Sequence, residues 1–195
     1  MNILKQIEMA FGKKKLVISN IHDLCRSVSF VDTEGLKSTL PFLGLRWQQV
    51  KPDIWKKCDG AVSFFSDKAF HYYMPSLIYC SYKDKDATSL ATMWVTYEFG
   101  WICDFFRDGK LTGDEDSILE SSYRRLSLFK IKELEYMKNW FSYLKEIGEG
   151  DIEENMDKPG WAVDFLIKNR REKIWDQEKI REYIKCKIKS IPRDY

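Results

Sequence analysis

The densest apolar segment of the chain runs from Gly60 to residue 83 and mixes aromatic with aliphatic side chains. After Lys68 it carries no charge until its last residue, so the polar stripe of a surface helix is missing. Residues 62–65 have the pattern of a turn, and Ser66 is placed to cap the helix that follows. We therefore predict a central helix that is buried on most sides and contains Pro75, which removes one backbone hydrogen bond and favours a kink.

A second apolar segment, residues 89–106, follows a polar connection at residues 83–88. It is apolar on nearly all sides. The β-branched and aromatic residues from Thr92 to Tyr97 favour a sheet, so periodicity alone leaves a strand open. We predict a helix here, with Ser89 as its cap.

The rest of the chain shows the helical spacing of apolar residues. Pro52 suits the first turn of a helix in which Trp47 and Trp55 would be the core anchors. Later apolar stripes occur at Ile131, Leu134 and Phe141 and at Ile180, Ile184 and Ile188. Residues 107–116 form the clearest loop. Because no repeat or linker divides the chain, we predict that residues 1–195 form one compact all-α domain of about seven to nine helices.

Charge is distributed unevenly along the chain, although 32 basic and 30 acidic residues give a net charge of only +2. Residues 1–60 carry a net charge of +4, residues 61–167 carry −7 and residues 168–195 carry +5. Within the acidic middle, residues 146–157 hold six carboxylates and no Lys or Arg. We call these residues the acidic segment, and we expect a strongly negative surface where it is exposed.

Few of the patterns that catalysis or metal binding needs are present. The two histidines, His22 and His71, have no metal-ligand spacing to a Cys or to each other. Cys80 lies nine residues after His71 in one predicted helix, about 13 Å along the axis, which is too far for a nucleophile–base pair. Signatures of serine hydrolases, zinc proteases and nucleotide sites are absent. We expect no metal, no cofactor and no enzymatic activity, although paired carboxylates leave acid–base chemistry open.

Cysteine usage and hydropathy indicate the compartment. The five cysteines are odd in number, widely spaced and mostly set among apolar residues, as reduced buried thiols are. The N-terminus has its lysine cluster after its apolar residues and lacks the order of a secretory signal. No apolar run reaches the length of about 18 residues that spans a bilayer. We therefore expect a cytoplasmic protein without a membrane partner.

One sequence pattern resembles an uncharacterised family of bacterial proteins. Its residues are Trp47, the run GAVSFF at 60–65 after Asp59, then Phe70, Tyr73 and Pro75, then Arg125–Leu128, and finally the run WFSYL at 140–144. The resemblance covers roughly residues 36–146. It implies a helical fold and supplies no activity. The small residue that the family has after the proline is Ser76 here.

In size, aromatic content and lack of catalytic motifs, the chain is also similar to the larger immunity proteins. These proteins neutralise bacterial toxin domains, including EndoU-type nuclease toxins of contact-dependent inhibition systems. The similarity implies a non-enzymatic protein whose partner is a cognate toxin with a basic nuclease domain, blocked at its active site by an acidic surface. The candidate partner-binding residues are Asp114, Glu115, Asp116, Glu149, Asp151, Glu153, Glu154 and Asp157.

The basic C-terminal helices favour a different class of function, an RNA-binding or RNA-processing accessory protein. Stacking surfaces and charge would come from Trp161, Trp175, Tyr183, Lys185, Lys187 and Lys189. The nearly neutral chain and its acidic middle argue against it, so we expect nucleic acid to be the weaker candidate for a partner.

Overall fold

The computed structural model describes residues 2–12, 18–26, 33–110, 116–148, 157–172 and 177–190. In this part of the chain the fold is all-α, as the apolar pattern predicts, with eleven α-helices and no β-strand. The helices are α1 (Ile3–Phe11), α2 (Ile21–Leu24), α3 (Thr33–Thr39), α4 (Pro52–Lys57), α5 (Ala61–Phe64), α6 (Asp67–Ser81), α7 (Lys85–Phe106), α8 (Asp116–Leu126), α9 (Ile131–Glu146), α10 (Asp157–Glu172) and α11 (Gln177–Ser190). Two 3-10 helices, Leu40–Phe42 and Trp47–Gln49, lie between α3 and α4.

The described residues hold more helices than the seven to nine that we expected. One addition is α5, which occupies the place of the turn predicted at residues 62–65. There the N–H of Phe65 donates to the carbonyl of Ala61 at 2.9 Å, which closes one helical turn. The predicted loop at residues 107–116 is confirmed for residues 107–110. Residues 111–115 lie outside the described part, and α8 begins at Asp116.

Helix α6 is the buried helix that the apolar segment predicts. Eleven of its 15 residues are buried, and it continues through Pro75. Its cap is Ser66, whose hydroxyl accepts a hydrogen bond from the N–H of Ala69 at 3.1 Å. Tyr73 anchors α6 because its hydroxyl donates to the carbonyls of Phe42 and Leu45, at 2.5 and 3.2 Å.

Helix α7 is longer than predicted. It begins at Lys85 because Asp84, rather than Ser89, caps it by accepting from the N–H of Ala87 at 3.0 Å. Residues 92–97 lie in the middle of this helix, so the strand alternative is wrong. Helix α7 packs against α4, α5, α6, α8 and α10, which makes it a second central element beside α6.

An aromatic cluster fixes the region between the 3-10 helices and α6. The ring of Phe42 meets those of Trp55, Phe65 and Tyr73 edge to face, with centroids 4.8, 5.0 and 5.2 Å apart. Trp47 and Trp55 are fully buried, which confirms them as core anchors, but Trp47 lies in the second 3-10 helix rather than in α4, where it was predicted.

The C-terminal helices cover the other side of α7. Gly148 follows the end of α9 with φ of 61°, a left-handed conformation that favours glycine. Helix α10 packs on both α7 and α9, and α11 packs on α8. Ile180 and Ile184 of α11 are buried as predicted, while the side chain of Ile188 lies outside the described part.

Candidate functional site

Most of the acidic side chains that we predicted as a partner site lie outside the described residues. These are Asp114, Glu115, Glu149, Asp151, Glu153 and Glu154. Asp116 is the first residue of α8, and its side chain is likewise outside the described part. Asp157 is described. It is the first residue of α10, and its side chain is 83% exposed.

The two ends of the acidic segment meet at the surface. Lys145, near the end of α9, places its Nζ 2.8 Å from Oδ1 of Asp157 at the start of α10. The Lys145 ammonium holds the pKa of Asp157 below its usual value. Glu146, the first carboxylate of the segment, is exposed. The segment therefore leaves the described fold and returns to it at one place.

A second charged site lies inside the protein, where the end of α5, the start of α6, the middle of α7 and the end of α8 meet. Its members are Arg26, Asp67, Glu98, Arg124 and Arg125, which we call the ionic cluster. Arg125 is its centre and is 0% exposed. A fully buried guanidinium requires opposite charge and hydrogen-bond acceptors, because an unpaired buried charge costs several kcal/mol.

Arg125 finds its hydrogen-bond acceptors on two elements, α7 and α5 with its C-cap. Nη1 donates to Oε1 of Glu98 at 2.7 Å and to the carbonyl of Val62 at 3.2 Å. Nη2 donates to the carbonyl of Phe65 at 2.8 Å. The guanidinium also lies over the ring of Phe70, 4.4 Å from its centroid. Arg125 therefore binds two carbonyls at the end of α5 and joins α8 to α7 and α6.

The outer members of the cluster are less buried. Arg26 donates from Nε to the carbonyl of Phe65 at 3.1 Å and places Nη2 3.6 Å from Glu98. Asp67 accepts from Nε of Arg124 at 2.5 Å and lies 3.8 Å from Nε of Arg125. Exposure rises from the centre to the rim, with side-chain values of 8% for Glu98, 23% for Asp67 and 47% for Arg124.

The electrostatics of the cluster are dominated by burial. Burial raises the pKa of Glu98, whereas the hydroxyl of Ser122 and the charge of Arg26 act in the opposite direction. Each carboxylate in the cluster faces an arginine, and the arginines also bind backbone carbonyls. The arrangement can hold helix ends and a loop in place, although Oε2 of Glu98 and Nε of Arg125 are buried without a hydrogen-bond partner.

A smaller polar pair joins α6 to α9. Nε2 of His71 lies 3.0 Å from Oε2 of Glu133, whose side chain is 1% exposed. The same oxygen accepts from the N–H of Lys130 at 2.7 Å and thereby caps α9. Cys80, the nucleophile partner that we weighed for His71, instead donates to the carbonyl of Val50 at 3.5 Å.

The five cysteines, all among the described residues, form no disulfide bond. Cys25, Cys58, Cys80 and Cys103 are buried, as predicted from their apolar surroundings, and Cys186 is exposed. Burial raises the pKa of Cys80 to about 12 and that of Cys103 to about 11, so both remain protonated at neutral pH.

Sequence reasoning missed the ionic cluster, although α7 carried a signal for it. Ala91, Val95, Ile102 and Phe105 recur at core spacing and are buried. Glu98 falls on the same row, three residues after Val95 and four before Ile102. A carboxylate in a buried register requires a cationic partner. The partner could not be assigned from spacing, because Arg125 lies 27 residues away on another helix.

Two searches of the described residues bear on wider function. Within them, no three or more His, Cys, Asp or Glu side chains are grouped so that they could hold a metal ion. Helices in the same part of the chain lack the combination of length and apolar character needed to cross a bilayer.

The fold and these sites define a class, an all-α protein whose central helices carry a buried ionic cluster. The model of a family of unknown function, DUF6714, matches residues 2–100, and the chain belongs to this family. The match includes Trp47, residues 59–65 and Pro75, and it ends before Arg125. No curated protein and no solved structure matches the chain.

Proposed function

We propose that the chain is an immunity-type binding protein, which neutralises a nuclease toxin by occluding the toxin's cationic active site with the acidic segment. The observation that carries this proposal is the contact between Lys145 and Asp157, which brings both ends of residues 146–157 to one place on the surface. Residues 146–157 hold six carboxylates and no Lys or Arg.

Electrostatics supports this type of function. Nucleases bind a polyanion through a basic cleft, and a dense group of carboxylates complements such a cleft. Complementary charge of this kind mainly raises the association rate and the specificity. The Lys145 cation, at the base of the segment, is paired with Asp157.

The buried polar groups support a scaffold role for the rest of the chain. Arg125 and Glu98 bind each other, and Glu133 binds the backbone of α9. These groups hold helices together, and a binding protein needs only such a rigid support for its contact surface.

The RNA-binding alternative has less support from the described side chains. Lys187 donates to the carbonyl of Phe105 at 3.0 Å, and Trp161 stacks on Phe165 with centroids 5.3 Å apart. Both groups therefore take part in internal packing. Lys185 is exposed, whereas Trp175 and the side chain of Lys189 lie outside the described residues.

The decisive experiment pairs the chain with a toxin encoded beside its gene. The test variant replaces Glu149, Asp151, Glu153 and Glu154 by Gln or Asn. The matched control replaces four carboxylates that are exposed on described helices, namely Glu34, Asp53, Glu172 and Glu182. We expect the test variant to lose protection on co-expression and to associate about 10-fold more slowly at low salt, while the control protects normally.

Three results would argue against the proposal. The first is that the wild-type chain protects against no neighbouring toxin. The second is that both quadruple variants weaken binding equally, since a general loss of negative charge would then explain the effect. The third is a salt-sensitive complex with labelled RNA that is lost on reversing the charge of Lys185, which would favour the alternative.

A further inference from the structure

The surface-facing side of α7 is unusually apolar. Leu90, Trp94, Tyr97 and Trp101 follow one another along this side at intervals of four, three and four residues, and we call them the apolar stripe. Leu90 is 39% exposed and Tyr97 is 42% exposed, while both tryptophans are partly exposed. The row is therefore on the surface rather than in the core.

No charge interrupts this side of the helix. Between Asp86 and Asp104 the only charged residue of α7 is Glu98, which points into the ionic cluster. Trp94 and Tyr97 are also ordered against each other, edge to face with centroids 6.2 Å apart. Rigid, uncharged aromatic surface of this type is characteristic of the centres of protein–protein interfaces.

The spacing of the stripe reads the same in both directions. In an antiparallel pair of identical helices centred between Val95 and Thr96, Leu90 of one copy faces Trp101 of the other, and Trp94 faces Tyr97. Intervals of four, three and four are the seam of a left-handed helix pair, in which such positions interdigitate. The stripe is thus complementary to a second copy of itself.

Charges at the two ends of α7 fit the same register. Lys83, just before the helix, would face Asp108, just after it. Lys83 is exposed, and the side chain of Asp108, which also binds Arg107 of its own chain, is 23% exposed. A parallel pair would instead place each charge opposite its own copy, and like charges directly opposed are destabilising. The Lys83–Asp108 pair therefore favours the antiparallel arrangement.

From these observations we propose that the outer face of α7 is a homodimer interface, in which two copies pack their apolar stripes antiparallel about a two-fold axis. Such an interface is isologous and closes on itself, so it stops at two copies. The stripe from Leu90 to Trp101 is about 16 Å long at 1.5 Å per residue. This is a small contact, and the dimer is accordingly weak and depends on protein concentration.

Sedimentation equilibrium from about 1 µM to about 1 mM tests the proposal. The weight-average mass of the wild-type chain should rise from 23.2 kDa toward twice that value. Tyr97→Glu should raise the dissociation constant at least about 10-fold, because it buries an unpaired charge at the centre of the interface. Leu90→Glu should act in the same direction. The matched control is Met9→Glu, since Met9 on α1 is 63% exposed and lies outside the stripe.

A charge exchange tests the register. Lys83→Asp and Asp108→Lys should each weaken the dimer several-fold, and the double exchange should restore it. Circular dichroism of each variant verifies that the helices remain.

A monomeric mass at every concentration would overturn the proposal, and so would a dimer that Tyr97→Glu leaves unchanged. If the monomer bound phospholipid vesicles instead of dimerising, the stripe would be a membrane-binding surface, and the proposal would also be overturned. A double exchange that fails to restore the dimer would overturn the antiparallel register.

Discussion

Helix α7 directs a carboxylate toward the core and a row of uncharged aromatic and aliphatic side chains toward the surface. On its inner side, Glu98 is 6% exposed and contacts Arg125. On its outer side, Leu90 and Tyr97 are 39% and 42% exposed. A carboxylate can therefore be buried where neighbouring helices pack over it, while uncharged side chains on the other side of the same helix remain exposed.

The two faces differ in what surrounds them. The inner face meets the end of α8, where Arg125 donates to the buried carboxylate of Glu98 and also to the carbonyls of Val62 and Phe65 at the end of α5. On the outer face, Tyr97 packs edge to face against Trp94 of the same helix. One face is therefore specified by polar pairing within the chain, and the other is available for a contact between chains.

The largest effect is expected from breaking the inner pair. Arg125→Met should lower the free energy of unfolding by about 3–5 kcal/mol, because it removes the hydrogen-bonded cation of the buried Glu98 carboxylate and leaves only Arg26, 3.6 Å away, to face it. Chemical denaturation measures the loss. The double variant Glu98→Leu/Arg125→Met should recover most of it, since both charges are then removed.

Arg124→Met is the matched control for this prediction. Arg124 is the neighbouring arginine, and its side chain is 47% exposed, so its ion pair with Asp67 should contribute no more than about 1 kcal/mol. Equal losses in Arg124→Met and Arg125→Met would contradict the view that Arg125 is the centre of the cluster.

A smaller effect is expected at the rim of the cluster. Asp67→Asn should lower the free energy of unfolding by about 1 kcal/mol, since Asp67 is 23% exposed and water partly replaces its arginine partners. The difference between wild type and variant should shrink in about 1 M salt, where exposed charges are screened. If Asp67→Asn instead lowered the free energy of unfolding as much as Arg125→Met does, independently of salt, Asp67 would behave as a buried member of the cluster.

The smallest effect on stability is expected on the outer face. Tyr97→Ser should change the free energy of unfolding of the monomer by less than about 0.5 kcal/mol, because exposed positions contribute little to folding. Thermal unfolding at a protein concentration low enough to keep the chain monomeric measures it. A loss of several kcal/mol would mean that part of the same chain covers the stripe.

The sequence predicts much of this architecture for identifiable reasons. The uncharged run after Lys68 predicts a buried α6, and its start follows from the cap at Ser66. The start of α7 was predicted five residues late because Ser89 and Asp84 are both good caps, and the residues added from Lys85 onward have a polar sequence although Ala87 and Thr88 are buried. Local pattern does not decide between two such caps.

The sites were less predictable than the fold. The pairing of Glu98 with Arg125 depends on how α7 and α8 cross, and helical spacing carries no information about that angle. The meeting of Lys145 with Asp157 likewise follows from the packing of α10 against α9. The acidic segment could be identified from composition alone, because recognising a run of carboxylates without basic residues requires no knowledge of the fold.

Because one cysteine is exposed and four are buried, thiol labelling can report how often the core opens. Cys186 on α11 is exposed, whereas the other four cysteines are buried. A thiol reagent should therefore modify the native chain once and the unfolded chain five times. The rate at which a folded sample acquires its later labels measures how often the core around α6 and α7 opens, without any substitution in the chain.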